Sequence, residues 1–168
     1  MPRSFDVSAE SPASVEQVHW AFSDKDYWQA RLAAFGAGSA TLDSLIVDAD
    51  GTVIMANTLS LLRDRLPRLV TRLHRGDLEM VCSETWTRIG GGQVRGEVSV
   101  AVPGAPVSAL GAALLTPVQN GSQLKHTTTV EIKVPLVGGK IESYIGGQLA
   151  EQIPAIHRFT TAWIAQNG

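Results

Sequence analysis

Glu84 and His126 are the two residues whose types and positions in this sequence could do acid/base chemistry. Each lies in a segment where apolar and polar residues alternate, and every second side chain of a strand shares a face. If both face the interior, the carboxylate could orient and charge the imidazole, which would act as an acid/base or hold a ligand's polar end. The alternative is a structural pair near a cavity mouth, or an outward pair if a strand is out of phase. The alternation groups Leu78, Met80, Cys82, Glu84 and Trp86 on one face of the first segment, and Leu124, His126, Thr128, Val130 and Ile132 on one face of the second.

Other patterns of reactive residues are incomplete. His19, His74 and His157 have no partner at metal-ligand spacing. Gly139-Lys140 lacks the earlier glycine and the following Ser or Thr of a phosphate-binding loop. There is no Gly-x-Ser-x-Gly elbow, and the single cysteine, Cys82, has an apolar rather than an electropositive setting. We therefore expect no metal, no cofactor and no covalent nucleophile.

The composition favours one globular domain with a large interior. The chain has 168 residues, of which 44% are apolar and 18% charged, against about 25% charged in an average domain. This length fits a single domain, 1–168. A net charge of -2 argues against a nucleic-acid partner. The N-terminal segment contains no long apolar run, so we expect neither a signal peptide nor a membrane span, and a cytoplasmic protein.

Periodicity and turn residues predict an α+β fold with the order β-α-α-β-β-β-β-β-β-α. Ser11-Pro12 is typical of a helix start, and Gly36 of a left-handed helix end. Gly146-Gly147 in the last helix predicts a close approach of the helix to the sheet, or room for a ligand, and Pro154 predicts a kink near Ala150. The predicted elements are a strand at 3–8, helices to Phe22 and from Ser23 or Asp24 to Phe35, strands at 41–59, a connector helix from Pro67 to Gly76, strands at 77–89, 93–102, 107–115 and 122–134, and a helix to Gln166.

A curved seven-stranded antiparallel sheet of this order must be covered by its only long helix, which leaves a space between them. We expect that space to be an apolar cavity of several hundred Å³, lined by inward strand residues and one face of the helix. The predicted ligand-binding residues are Val47, Met55, Leu59, Met80, Cys82, Glu84, Trp86, Val98, Val100, His126, Thr128, Val130, Ile145, Leu149, Ile153 and Ile156.

Two segments carry a family resemblance. The helix entry Ser-Pro-Ala-Ser-Val-Glu-Gln-Val at 11–18 and the segment Val-Pro-Leu-Val-Gly-Gly-Lys-Ile-Glu at 134–142, with the order of elements, resemble the START-like, polyketide-cyclase-like superfamily (SRPBCC, Bet v 1-like). Within it, an uncharacterised bacterial family is most similar. The resemblance implies a helix-grip fold and apolar ligand binding. Members of this superfamily include carriers, receptors and cyclases, so it does not separate an enzyme from a binding protein.

Three functions remain open at this point. The first is a carrier or sensor of a small apolar ligand, lipid-like, fatty-acid-like or polyketide-like. The second is a cyclase, hydratase or isomerase that uses Glu84 and His126 as acid and base. The third is an interaction module with a filled cavity, as a monomer or a homodimer. The segment from Arg63 to Arg75 could also touch an anionic membrane surface, although an ordinary connector helix with a solvated charged face explains it as well.

Overall fold

The computed structural model describes residues 2–36, 39–61, 78–133 and 138–168. The predicted connector helix from Pro67 to Gly76, the membrane-contact segment from Arg63 to Arg75, and residues 134–137 of the family motif lie outside these ranges. The elements in chain order are β1 (Arg3–Ser11), α1 (Val15–Phe22), α2 (Lys25–Phe35), β2 (Ala40–Val47), β3 (Val53–Leu61), β4 (Leu78–Ile89), β5 (Gln93–Ala101), β6 (Val107–Val118), β7 (Gly121–Ile132) and α3 (Gly138–Asn167).

The seven strands form one antiparallel sheet with the order β1-β7-β6-β5-β4-β3-β2. From β2 to β7 each strand pairs antiparallel with the next one along the chain, and β1 pairs with β7 at the far edge of the sheet. The turn glycines Gly51, Gly91 and Gly92 have φ of 87°, 75° and 72°, a region that favours glycine. The predicted helix-grip fold is confirmed, with a curved sheet and one long C-terminal helix.

The helix ends correct two sequence predictions. Helix α1 is capped by Ser14, whose side chain accepts from Gln17 N while the Gln17 side chain accepts from Ser14 N. The predicted cap, Ser11, instead ends β1 opposite Ser122. Gly36 ends α2 with a φ of -83°, so the predicted left-handed end is wrong. A glycine is needed there for space, because a side chain would meet the Leu32 carbonyl and Ala40.

Helix α3 contacts the sheet mainly at β1 and β7. Its buried Glu142 accepts a hydrogen bond from Ile132 N at 2.9 Å, which ties the start of α3 to the end of β7. Farther along, Gly146 lies against the ring of Phe5 on β1. The helix continues through Pro154, and the kink near Ala150 stays a prediction. Among the described residues, no helix is both long and apolar enough to cross a membrane.

The two adjacent glycines of α3 give a matched test of this packing. A Cβ on Gly146 would overlap the Phe5 ring, whereas a Cβ on Gly147 meets nothing within 4 Å. Alanine is favoured over glycine in a helix by about 1 kcal/mol, and overpacking costs about 1–3 kcal/mol. We expect Gly147→Ala to raise the free energy of unfolding in urea and Gly146→Ala to lower it. Equal effects of the two variants would contradict the close approach.

The apolar core is divided into two clusters. The larger one joins α1, α2 and the C-terminal part of α3 to the sheet, with Trp28, Val53, Trp86 and Leu115 almost fully buried. The smaller one joins Val130 and Ile132 of β7 to Ile141 of α3, with Ile145 and Leu149 packed beside them. The residues between these clusters are those of interest for function.

Candidate functional site

The strand register places Glu84 and His126 on the inner face of the sheet. Met55 of β3, which is buried, is opposite Glu84, and across β5 and β6 that row continues to Thr128 of β7. His126 lies one row away, in the row of Val53 and Trp86, which are both buried. Directly paired residues share a face. Both candidate side chains therefore project toward α3.

Glu84 is fully engaged by two donors. Arg31 of α2 donates through Nη2 to Glu84 Oε2 at 3.0 Å, and the Trp86 indole Nε1 donates to Oε1 at 3.0 Å. The Arg31 guanidinium also lies 4.7 Å from the centre of the Trp28 ring. The side chains of Glu84 and Arg31 are only 9% and 15% exposed. This is a buried ion pair, which joins α2 to the middle of the sheet.

Tyr27 extends the same polar cluster to α3. Its hydroxyl lies 2.6 Å from Thr160 Oγ1, and its ring is edge-on to Trp28 and Trp163. Burial raises the pKa of Tyr27, with the neighbouring Arg31 opposing the shift. Tyr27 is therefore a neutral hydrogen-bonding group at physiological pH. The polar cluster of Tyr27, Arg31, Glu84 and Thr160 thus connects both helices with the sheet.

His126 is held by a different partner. Its Nδ1 lies 3.0 Å from Thr128 Oγ1. Its ring covers the position where a side chain on Gly111 would be, since a Cβ there would lie 2.8 Å from Cε1 and 3.1 Å from Nε2. Burial lowers the pKa of His126, while Glu84 raises it and Arg31 lowers it. The imidazole is therefore neutral at pH 7.

The predicted acid/base pair is thus not a hydrogen-bonded pair in the part of the chain that the structure describes. Glu84 is bonded to Arg31 and Trp86, and His126 to Thr128. The two are close enough for Glu84 to act on the His126 pKa through space. The arrangement provides a neutral imidazole near a compensated ion pair, with largely apolar residues around them.

The predicted wall residues divide into five groups. Met55, Trp86 and Ile153 belong to the larger apolar cluster, and Val130, Ile145 and Leu149 to the smaller one. Val47 lies next to the turn of the β2–β3 hairpin and is 45% exposed, so it does not line the interior. Glu84 and Thr128 are buried polar residues. The remaining residues are half-buried and belong to neither cluster among the described residues: Leu59, Met80, Cys82, Val98, Val100, His126 and Ile156.

Cys82 lies in that last group, directly opposite Val100 in the sheet. Burial, followed by the nearby Glu84 charge, raises the pKa of its thiol to about 11. The thiol is therefore protonated and unreactive at neutral pH. Cys82 is therefore a small, half-buried residue of apolar character on the inner face of β4.

Sequence reasoning missed Arg31, Tyr27 and Thr160. Arg31 is four residues after Tyr27 and three after Trp28, which puts it on the inward side of α2. That spacing, combined with the inward position of Glu84, was the sequence signal that could have identified Arg31 as its partner. Thr160 lies at helical spacing from Ile156 and Trp163, which indicates an inward position but no polar contact.

A cleft of about 490 Å³ opens on the surface beside α2, the helix that carries Tyr27 and Arg31. It lies between α2 and the start of β2 and is lined by Gln29, Leu32, Ala33, Ser39, Ala40, Thr41 and Leu42. Leu32 follows Arg31 directly in sequence, and Leu42 packs against the larger apolar cluster. Within the described ranges, no group of three or more His, Cys, Asp or Glu side chains could hold a metal ion.

Comparison with known proteins agrees with this fold. The family described as "Protein of unknown function (DUF2505)" matches residues 6–164. The uncharacterized protein Rv0481c of Mycobacterium tuberculosis is 42% identical over 174 aligned residues, which cover 99% of each chain. The structure of TTHA0849 from Thermus thermophilus is similar with a TM-score of 0.60 at 14% identity, over 99% of this chain and 100% of that one. Ara h 8.0201 is similar with a TM-score of 0.57 at 11% identity, over the same shares. The resemblance to the START-like, Bet v 1-like fold is confirmed.

Proposed function

This chain belongs to DUF2505, a family of proteins of unknown function, and we propose that it holds a small apolar ligand between the sheet and α3, as a carrier or sensor. The observation that carries the proposal is that several inward-facing residues belong to neither apolar cluster among the described residues and are only half-buried. Met80, Cys82, Val98 and Val100 face inward from adjacent strands and yet stay half-buried. Inward apolar side chains of a close-packed core would be almost fully buried.

The chemistry of the walls supports an apolar ligand with one polar end. Binding sites for small molecules are mostly apolar, with a few polar groups that fix orientation. Here the apolar side chains of β4 and β5 are half-buried on the inner face of the sheet, and Ile156 of α3 is half-buried as well. The polar groups include His126 with Thr128, Glu84 with Arg31, and the buried Asn57 opposite Cys82. The cleft between α2 and β2 is the route by which we propose that the ligand enters.

The geometry favours binding over acid/base catalysis. A general base must be within hydrogen-bond reach of the proton that it takes. The Glu84 carboxylate already accepts from Arg31 and Trp86, which occupy one oxygen each. Those donors stabilise the ionised carboxylate and keep it in place. Its role in this proposal is to fix α2 and the polar end of the cavity.

Native mass spectrometry of the gently purified protein tests the proposal. We expect a discrete mass increase from a copurified apolar molecule, which denaturing extraction releases and identifies. Stripped protein should take up a ligand of that class again. A clean unliganded mass, with no uptake from a panel of lipids and polyketides, would contradict the proposal. That result would favour the interaction module with a filled interior.

A further inference from the structure

We infer that the polar end of the ligand is an uncharged oxygen group, such as a hydroxyl, ketone or ester, and that it hydrogen-bonds to the imidazole of His126. This inference rests on the proposed binding function and narrows it to a ligand class. The inference excludes ionised fatty acids as ligands. Fatty alcohols, methyl ketones and neutral polyketides belong to the ligand class that it predicts.

The ion pair of the site is already complete. Arg31 is 3.0 Å from Glu84 and stacks on the Trp28 ring, so its charge is compensated on two sides. A ligand carboxylate beside it would also face Glu84, which is largely buried. Burying a second negative charge there without its own partner is expensive. The pair therefore fits a neutral group better than an anion.

His126 offers the ligand a ring nitrogen, Nε2, that its hydrogen bond with Thr128 does not engage. Thr128 engages Nδ1 and fixes the ring plane, and Gly111 has no side chain that would separate the ring from the interior. The ring reaches over β6 toward Val98, one of the half-buried wall residues. A neutral imidazole offers one donor and one acceptor. With Nδ1 bonded to Thr128, Nε2 donates to a ketone or ester oxygen, or accepts from a hydroxyl, according to the tautomer.

Competition binding at pH 8 tests the inference without identifying the natural ligand. Stripped protein is loaded with Nile red, an uncharged apolar dye, which is then displaced by 1-decanol, 2-decanone or decanoate. Decanol and decanone are expected to bind about tenfold more tightly than decanoate, a difference of about 1.4 kcal/mol. Decanoate that binds as tightly as decanol, or more tightly, would overturn the inference.

Two variants locate the contact. His126→Leu should weaken decanol and decanone binding about three- to tenfold, the usual value of one hydrogen bond, with the affinity of Nile red determined separately for each variant so that competitor affinities can be compared. His126→Gln keeps a polar nitrogen near the position of Nε2 and should recover most of that affinity. If His126→Leu does not fold, the order of the three competitors' affinities for the unmodified protein, together with the His126→Gln variant, still tests the inference. Decanol affinity that does not respond to His126→Leu overturns the inference alone, whereas failure of Nile red and all three competitors to bind also overturns the proposed function.

Discussion

Replacing Glu84 by alanine is expected to lower the free energy of unfolding by about 3–5 kcal/mol, the usual cost of removing one partner from a buried ion pair. The guanidinium of Arg31 would stay in an interior where its side chain is 15% exposed, with no carboxylate beside it. The Trp86 indole N–H would also lose its acceptor. Chemical denaturation followed by circular dichroism and tryptophan fluorescence measures this loss.

An exposed ion pair of the same chain supplies the control. Arg88 and Glu16 are 3.1 Å apart, but their side chains are 53% and 66% exposed. Glu16→Ala should therefore change stability by less than about 1 kcal/mol. A double variant, Glu84→Met with Arg31→Met, should recover much of the loss, because an apolar pair leaves no uncompensated charge. Equal effects of Glu84→Ala and Glu16→Ala would show that the inner pair is not desolvated.

The strands and their inward faces could be predicted because their pattern is strong. The inward positions of β4 are mostly apolar, and Leu124, Val130 and Ile132 share one phase in β7, so a shift by one residue would expose these apolar side chains. The structure accordingly has Cys82, Glu84 and Trp86 on the same face, as the alternation indicates. The glycine-rich and Asn-Gly turns add a second, independent signal for the ends of these strands.

The partners of Glu84 could not be predicted, because they depend on how α2 packs onto the sheet. An arginine on a short helix is usually solvated, and only the tertiary contact between α2 and β4 makes Arg31 a buried partner. The predicted start of α1 was wrong for a similar reason. Ser11 and Ser14 are both good caps, and pairing of Ser11 with Ser122 extends β1 and leaves Ser14 to begin the helix.

A cavity-filling substitution separates a ligand pocket from a filled core, whatever the ligand is. Val100→Trp is expected to weaken binding of an apolar probe such as Nile red by about 10- to 100-fold, since the indole would occupy the space of the ligand. Val100 projects inward from β5 between Cys82 and Ala109 and is half-buried. Because the proposed space accommodates the larger ring, the free energy of unfolding should change by less than about 1 kcal/mol.

The stability of Val100→Trp also tests the alternative to a ligand pocket, which is a closed core. If the interior is filled by its own side chains, the added ring must displace neighbours and should cost about 1–3 kcal/mol or more. Val81→Trp is the matched control, because Val81 lies on the adjacent strand but on the outer face, where it is 40% exposed. That control should change neither binding nor stability. A destabilised Val100→Trp beside an unaffected Val81→Trp would therefore replace the ligand-binding proposal with a closed core, and function would then be sought on the outer surface of the protein.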